Sequence, residues 1–232
     1  TGFPGEEYTD VAQTMARIWR LRNSCLGRLS CGSCGVNPDT PLNLERHKFN
    51  ISNNDWCYTW VTNDGRNNIF SRFIRMFTTN IIIEHWRKYK TVRQYEYQCN
   101  HPYLQSYYTL DYDPENIRDD VPIEIDFDYN IIQANINPVA DSLVNEIWPL
   151  LRVLWLGVGP FTLELEFDPD RNRRDFGPNT YSNGDHKFWA TYKFNINDAG
   201  DWTADFNMRL EGPPLFNVTE TSFHLPWSGT GH

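Results

Sequence analysis

Residues 196–216, INDAGDWTADFNMRLEGPPLF, decide how this chain is read. A Gly200-Asp201 turn opens an apolar-rich run, and Gly212-Pro213-Pro214 closes it. Turn residues at both ends of one β-prone segment predict a strand inside an antiparallel sheet. Working backwards, residues 188–196 read as the strand before it. Residues 161–167 alternate, with Phe161, Leu163, Leu165 and Phe167 on one face. Residues 123–129, IEIDFDY, alternate just as strictly, with Glu124, Asp126 and Asp128 on the polar face.

Further strands are predicted at 56–61, ahead of an Asn63-Asp64-Gly65 turn, and along the β-rich run 77–89. Residues 92–97 then supply a partner for that run. Residues 153–167 read as a strand pair split at Gly157-Val158-Gly159-Pro160. Without βαβ alternation or an internal repeat, about eight short strands predict an all-β fold: an eight-stranded antiparallel jelly-roll β-sandwich. Ahead of it, residues 5–22 predict a short helix with acids at its start and arginines at its end, a polarity that suits the helix dipole. The expected organisation is an N-terminal helix and arm over 1–41, a jelly-roll domain over 42–216 and a C-terminal extension over 217–232. No strand pattern is visible in that extension after Phe223.

Composition narrows the function classes. The chain has 232 residues, enough for one large core without disulfides or metals. A net charge of −9 argues against a surface given over wholly to nucleic acid. Charge is uneven, however: between Val11 and Pro38 stand Arg17, Arg20, Arg22 and Arg28 and no acid. Nine Trp, twelve Tyr and fourteen Phe exceed what a sandwich of this size needs for its core. Trp148, Trp155, Trp202 and Trp227 lie in turn-like sequence and are therefore candidates for an interface. No apolar run is long enough for a transmembrane helix.

Three more stretches join the closing strand in an ordered pattern. Gly5-Glu6 precedes the Arg-ended helix. Residues 69–83, IFSRFIRMFTTNIII, join a short helix to a hydrophobic run, and residues 136–150, INPVADSLVNEIWPL, form a linker. With 196–216, these resemble the capsid proteins of picorna-like insect viruses, the dicistroviruses and iflaviruses (order Picornavirales), across about residues 5–216. Thr78-Thr79 stands where that family has Arg-Gly, and Trp148-Pro149-Leu150 where it has Pro-Tyr-Tyr.

The resemblance implies a major capsid protein of a small, nonenveloped, positive-strand RNA virus. Such a chain is released from a polyprotein in the host cytoplasm and co-assembles with other jelly-roll chains into an icosahedral virion. Its partners would be those capsid chains, symmetry copies of itself around the fivefold axis, genomic RNA held non-specifically, and a host receptor. The four arginines would then face the inner surface or the RNA; pairing with a neighbour's acidic loops is the other reading. Some relatives carry a second carboxylate after Gly-Asp, with a proposed part in maturation cleavage. Here Gly200-Asp201-Trp202-Thr203 lacks it, so that activity is not carried over.

Other chemistry is thinly represented. Five cysteines (25, 31, 34, 57 and 99) cannot all pair within one chain, and only Cys31-Gly-Ser-Cys34 has metal-ligand spacing. Structural zinc wants two such pairs, so reduced thiols on a Gly-Ser arm are expected and no metal or cofactor is called for. The six His residues lie outside any triad pattern, and no enzyme is predicted. The competing expectation is a secreted, lectin-like β-sandwich that binds carbohydrate through aromatic platforms, with acidic loops able to hold Ca²⁺. The sequons at Asn50 and Asn217 would matter only there.

Overall fold

The computed structural model describes residues 1–6, 8–21, 31–52, 60–86, 95–98, 105–116, 139–140, 144, 147–168, 187–211 and 220–227. They fall into two units. One takes in 1–90 and 117–157 and is helical in its described parts; the other takes in 91–116 and most of 158–232 and carries the strands. These boundaries cut across those expected at 41 and 216.

The second unit is one antiparallel sheet of six strands: β1 (Tyr95–Gln98), β2 (Gln105–Tyr112), β3 (Phe161–Phe167), β4 (Lys187–Ile196), β5 (Trp202–Glu211) and β6 (Glu220–Trp227). Neighbours in the sheet are neighbours in the chain throughout, so the described strands form a meander. A jelly roll would set strands distant in sequence side by side, in two packed sheets. The described residues therefore give a β-rich antiparallel fold without that order. Residues 123–129, the clearest alternating segment, lie outside the described residues.

Alternation fixes the register. Phe161, Leu163, Leu165 and Phe167 on β3, Tyr192, Phe194 and Ile196 on β4, and Trp202, Ala204, Phe206, Met208 and Leu210 on β5 are all buried. Their rings meet across strands: Phe161 on Phe194 at 5.7 Å, Phe194 on Trp202 at 5.4 Å, Tyr192 on Phe206 at 4.3 Å and Phe206 on Phe223 at 4.6 Å. Each such ring contributes about 1.5–3 kcal/mol by burial, and stacked pairs add about a further 1 kcal/mol.

Tight geometry closes the β4–β5 connection. The Asn197 amide donates to Asp201 O at 3.0 Å, and Asn197 Oδ1 accepts from the Ala199 and Asp201 amides. Gly200 takes φ +84°, a left-handed conformation that glycine adopts without steric cost.

The C-terminal extension departs from its reading, because β6 pairs with β5 along its whole length. The outward positions of β6 are Glu220, Ser222, His224 and Pro226, and Phe223, Leu225 and Trp227 alternate with them. Pro226, which reads as a strand breaker, hid that alternation.

In the first unit, α1 (Tyr8–Leu21) buries Val11, Ala12 and Met15, with Asp10 in its first turn and Arg20 in its last. A short α2 (Pro41–Leu44) and a 3-10 turn (Arg46–Phe49) follow. Then α3 (Ile69–Trp86) replaces the strand expected over 77–89. Phe70, Phe73, Ile74, Phe77 and Ile81 recur at helical spacing, and that period outweighs the β-branched run at its end. Asn68 and Ser71 cap the helix reciprocally, each amide donating to the other's side-chain oxygen at 3.0 Å.

A second correction is α4 (Trp148–Val158), where a strand was expected from Val153. Pro149 in its first turn and Gly159 just beyond its end, at φ +75°, are helix boundary signals. Gly157-Val158-Gly159-Pro160 marks a helix end and not a strand-to-strand turn.

Two arginines sit inside the first unit on α3. Arg72 donates to Trp60 O at 2.7 Å and to Asn67 Oδ1 at 2.9 Å, and its guanidinium lies 3.9 Å from the Trp60 ring centroid. Arg75 pairs with Glu6 at 2.8 Å, both side chains largely buried. Asn80 grips the Cys31 backbone at both its amide and its carbonyl. Glu6→Ala removes a carboxylate that also accepts from the Gly2 amide, and is expected to cost about 2 kcal/mol in urea unfolding. Tyr192 gives the opposite sign. Its hydroxyl is fully buried without a hydrogen-bond partner, so Tyr192→Phe should gain about 1 kcal/mol, a rise in Tm of roughly 2–4 °C by calorimetry.

Candidate functional site

The strand alternation that buries one face of the sheet turns the polar set to the other, and this outward face carries the richest chemistry among the described residues. One cross-strand row reads Thr109, Glu164, Lys193, Asp205, His224 from β2 to β6. Lys193 Nζ stands 2.5 Å from Glu164 Oε1, and His224 Nδ1 2.6 Å from Asp205 Oδ1. The hydrogen bond and charge of Glu164 push the Lys193 ammonium up from its ordinary range. Both ions are half-exposed, so solvent screens the pair heavily. Farther along, the Arg209 guanidinium lies 4.2 Å from the Trp189 ring centroid and 3.4 Å from Glu211.

The next row towards the end of the sheet is Asp111, Thr162, Asn195, Thr203 and Pro226. It holds a hydrogen-bond ladder: Thr162 Oγ1 donates to Asn195 Oδ1 at 3.0 Å, and Asn195 Nδ2 to Thr203 Oγ1 at 3.4 Å. This row and the inward row beside it (Tyr112, Phe161, Ile196 and Trp202), with Asn197 and Asp201, line an open cleft of about 880 Å³. Burial pushes the Tyr112 phenol up, so it stays protonated as a donor. A smaller depression of about 560 Å³ lies over the Glu164–Lys193–Asp205 row. Polar hydrogen-bonding groups and ring faces meet here, and no lining residue of the cleft is Lys, Arg or His.

The residues singled out from sequence are scattered. Arg17 and Arg20 are exposed on α1, three apart and so on one side of the helix. Arg22 and Arg28 lie outside the described residues. Trp148 and Trp202 are corrected: at 7% and 1% exposure they belong to the chain's own packing, the first on α4 and the second on the buried face of β5. Turn-like flanks misled here, because a buried ring next to Pro or Gly reads like a loop residue. Trp155 is half-buried on α4. Trp227 ends β6 in register with Trp202. Asn195, Thr162 and Thr203 were missed; only the strand registers, which sequence does not give, bring them together.

Cys31 and Cys34 are free thiols, and Cys25, Cys57 and Cys99 lie outside the described residues. Among the described residues no group of three or more His, Cys, Asp or Glu side chains stands close enough to hold a metal ion. Nor is any described helix long and apolar enough to cross a membrane. Burial pushes the Cys34 thiol up, against the opposing pull of Arg72. Since the thiolate is the nucleophile, Cys34 should alkylate more slowly than a thiol in an unfolded peptide at pH 8 and approach it as pH rises. Peptide mapping after timed iodoacetamide pulses reads this directly, and equal rates at pH 8 would contradict the burial. No family model matches the sequence, and no match is found among the curated proteins or the solved structures.

Proposed function

We propose that this chain is a structural protein of a virion: a major capsid subunit of a small, nonenveloped, positive-strand RNA virus. Four motifs in order over residues 5–216 support it, and their keystone is the observation that carries the reading. The stretch 196–211 folds as a Gly200 turn feeding β5, which is paired on both sides in the sheet. The eight-stranded jelly roll rests on the strands read from the sequence, residues 123–129 among them, and on the resemblance; the chain-order pairing of the six described strands lends it no support. Partner chains of the same type, copies around the fivefold axis, release from a polyprotein in the host cytoplasm and a host receptor rest on the resemblance too.

The function is association, with no chemistry asked of the chain. Closed symmetry lets modest contacts repeat many times over. Arg17 and Arg20, exposed together on α1 in a segment without acids, suit the inner surface, where each phosphate contact releases counterions irrespective of sequence.

Sedimentation of native material on a sucrose gradient, followed by electron microscopy, tests the proposal. Uniform spherical particles that contain this chain with companion chains and RNA are expected. Small soluble species with occupied glycans at Asn50 or Asn217 would overturn it in favour of the secreted lectin-like sandwich. In the same assay Arg17→Ala with Arg20→Ala should lower the RNA content per particle. Loss of assembly at unchanged RNA content would instead put these arginines against a neighbouring subunit.

A further inference from the structure

The cleft at the end of the sheet has a composition that selects its ligand. Its carboxylates, Asp111 and Asp201, face no cation among the lining residues, so phosphate, sulfate and sialic acid meet only repulsion there. Its openness excludes a drug-like apolar ligand, which needs most of its surface enclosed. Two carboxylates are too few to make a metal cage, and no metal-ligating cluster forms among the described residues. What remains is a ligand that offers both donors and acceptors at short spacing, with apolar C–H faces between them.

A neutral sugar has that chemistry. Vicinal hydroxyls donate to a carboxylate such as Asp111 and exchange hydrogen bonds with the Thr162–Asn195–Thr203 ladder. Each ladder residue keeps hydrogen-bonding capacity after the internal bonds: the Asn195 amide retains a second proton, and both threonine oxygens retain lone pairs. Pro226, in register with Thr203 on the same outward row, supplies apolar surface for a C–H face. The ladder also holds these side chains in place before any ligand arrives, which lowers the ordering cost of binding.

We infer that the cleft across the β2–β5 ends is a binding site for a neutral oligosaccharide of about three residues, because the row from Asp111 to Thr203 crosses four strands spaced about 4.8 Å apart and one sugar ring cannot span it. The site is complete within the sheet unit, so it stands whether or not the chain builds a shell.

The test is saturation-transfer NMR on the full chain with linear trisaccharides of glucose, galactose, mannose and N-acetylglucosamine, alongside sialyllactose and an arginine-rich peptide. At least one neutral glycoside should bind at millimolar concentration, with sialyllactose silent at its acidic sugar. Asp111→Asn keeps size and shape, and should weaken that glycoside about tenfold, the effect of losing a charged hydrogen bond. Thr203→Trp should abolish the signal by filling the cleft. If Thr203→Trp lowers the melting temperature, the Asp111→Asn result decides. Silence from every neutral glycoside, or binding that Asp111→Asn leaves unchanged, overturns the inference. So does binding of the peptide alone, which would make the cleft a cation-seeking protein contact.

Discussion

The register of β3, β4 and β5 is the constraint on which the sheet and its surface both depend. Side chains alternate with a period of two, so a slip of one residue in β4 would expose Phe194 and bury Lys193. Burying an ammonium costs several kcal/mol and exposing a stacked ring loses about 2 kcal/mol more, so the slipped sheet cannot compete. The outward rows are thus positioned by rings on the opposite face. Thr162, Asn195 and Thr203 align because Phe161, Ile196 and Trp202 must stay inward.

The helical unit solves a different problem. Helix α3 is buried around nearly its full circumference, yet it carries Arg72, Arg75, Thr78, Thr79 and Asn80. A buried guanidinium survives only where fixed acceptors replace its water. Trp60 O and Asn67 Oδ1, from the chain just ahead of the helix, and Glu6, from the N-terminal segment, supply them. These bonds add little net stability compared with an apolar helix of the same shape. They do specify which segments meet α3, because any other packing would leave a charge unpaired.

Sequence disclosed the sheet better than the helices, for a physical reason. Strands such as Phe161–Phe167 bury one face, so they alternate visibly. Helix α3 has apolar residues at helical spacing, but its buried Arg, Thr and Asn side chains leave no separate polar face, so the β propensity of its Ile and Thr residues dominates the reading. Its Asn68–Ser71 cap was the available signal, as Pro149 and Gly159 were for α4. Topology was not legible at all. Strand patterns do not say which strand lies beside which, and a meander and a Greek key share the same alternation. The cleft was hidden for the same reason, since Asp111 and Thr203 stand some ninety positions apart and only pairing through β3 and β4 brings them onto one row.

Charge along the outward face adds one more step. In the Glu164–Lys193–Asp205–His224 row acids and bases alternate, so each carboxylate has a hydrogen-bonding partner within the sheet. Such a row has little net field and steers no charged ligand from a distance. The adjoining row has no base, only carboxylate, amide and hydroxyl groups. Recognition there must act at hydrogen-bonding range and depend on shape, with weak affinity at any one site. Weak single-site binding becomes useful when many copies present it together, because a second contact is then made at high effective concentration. A chain built for repeated assembly would supply that multiplicity, so a shallow cleft for a neutral ligand is better suited to an array than to a lone monomer.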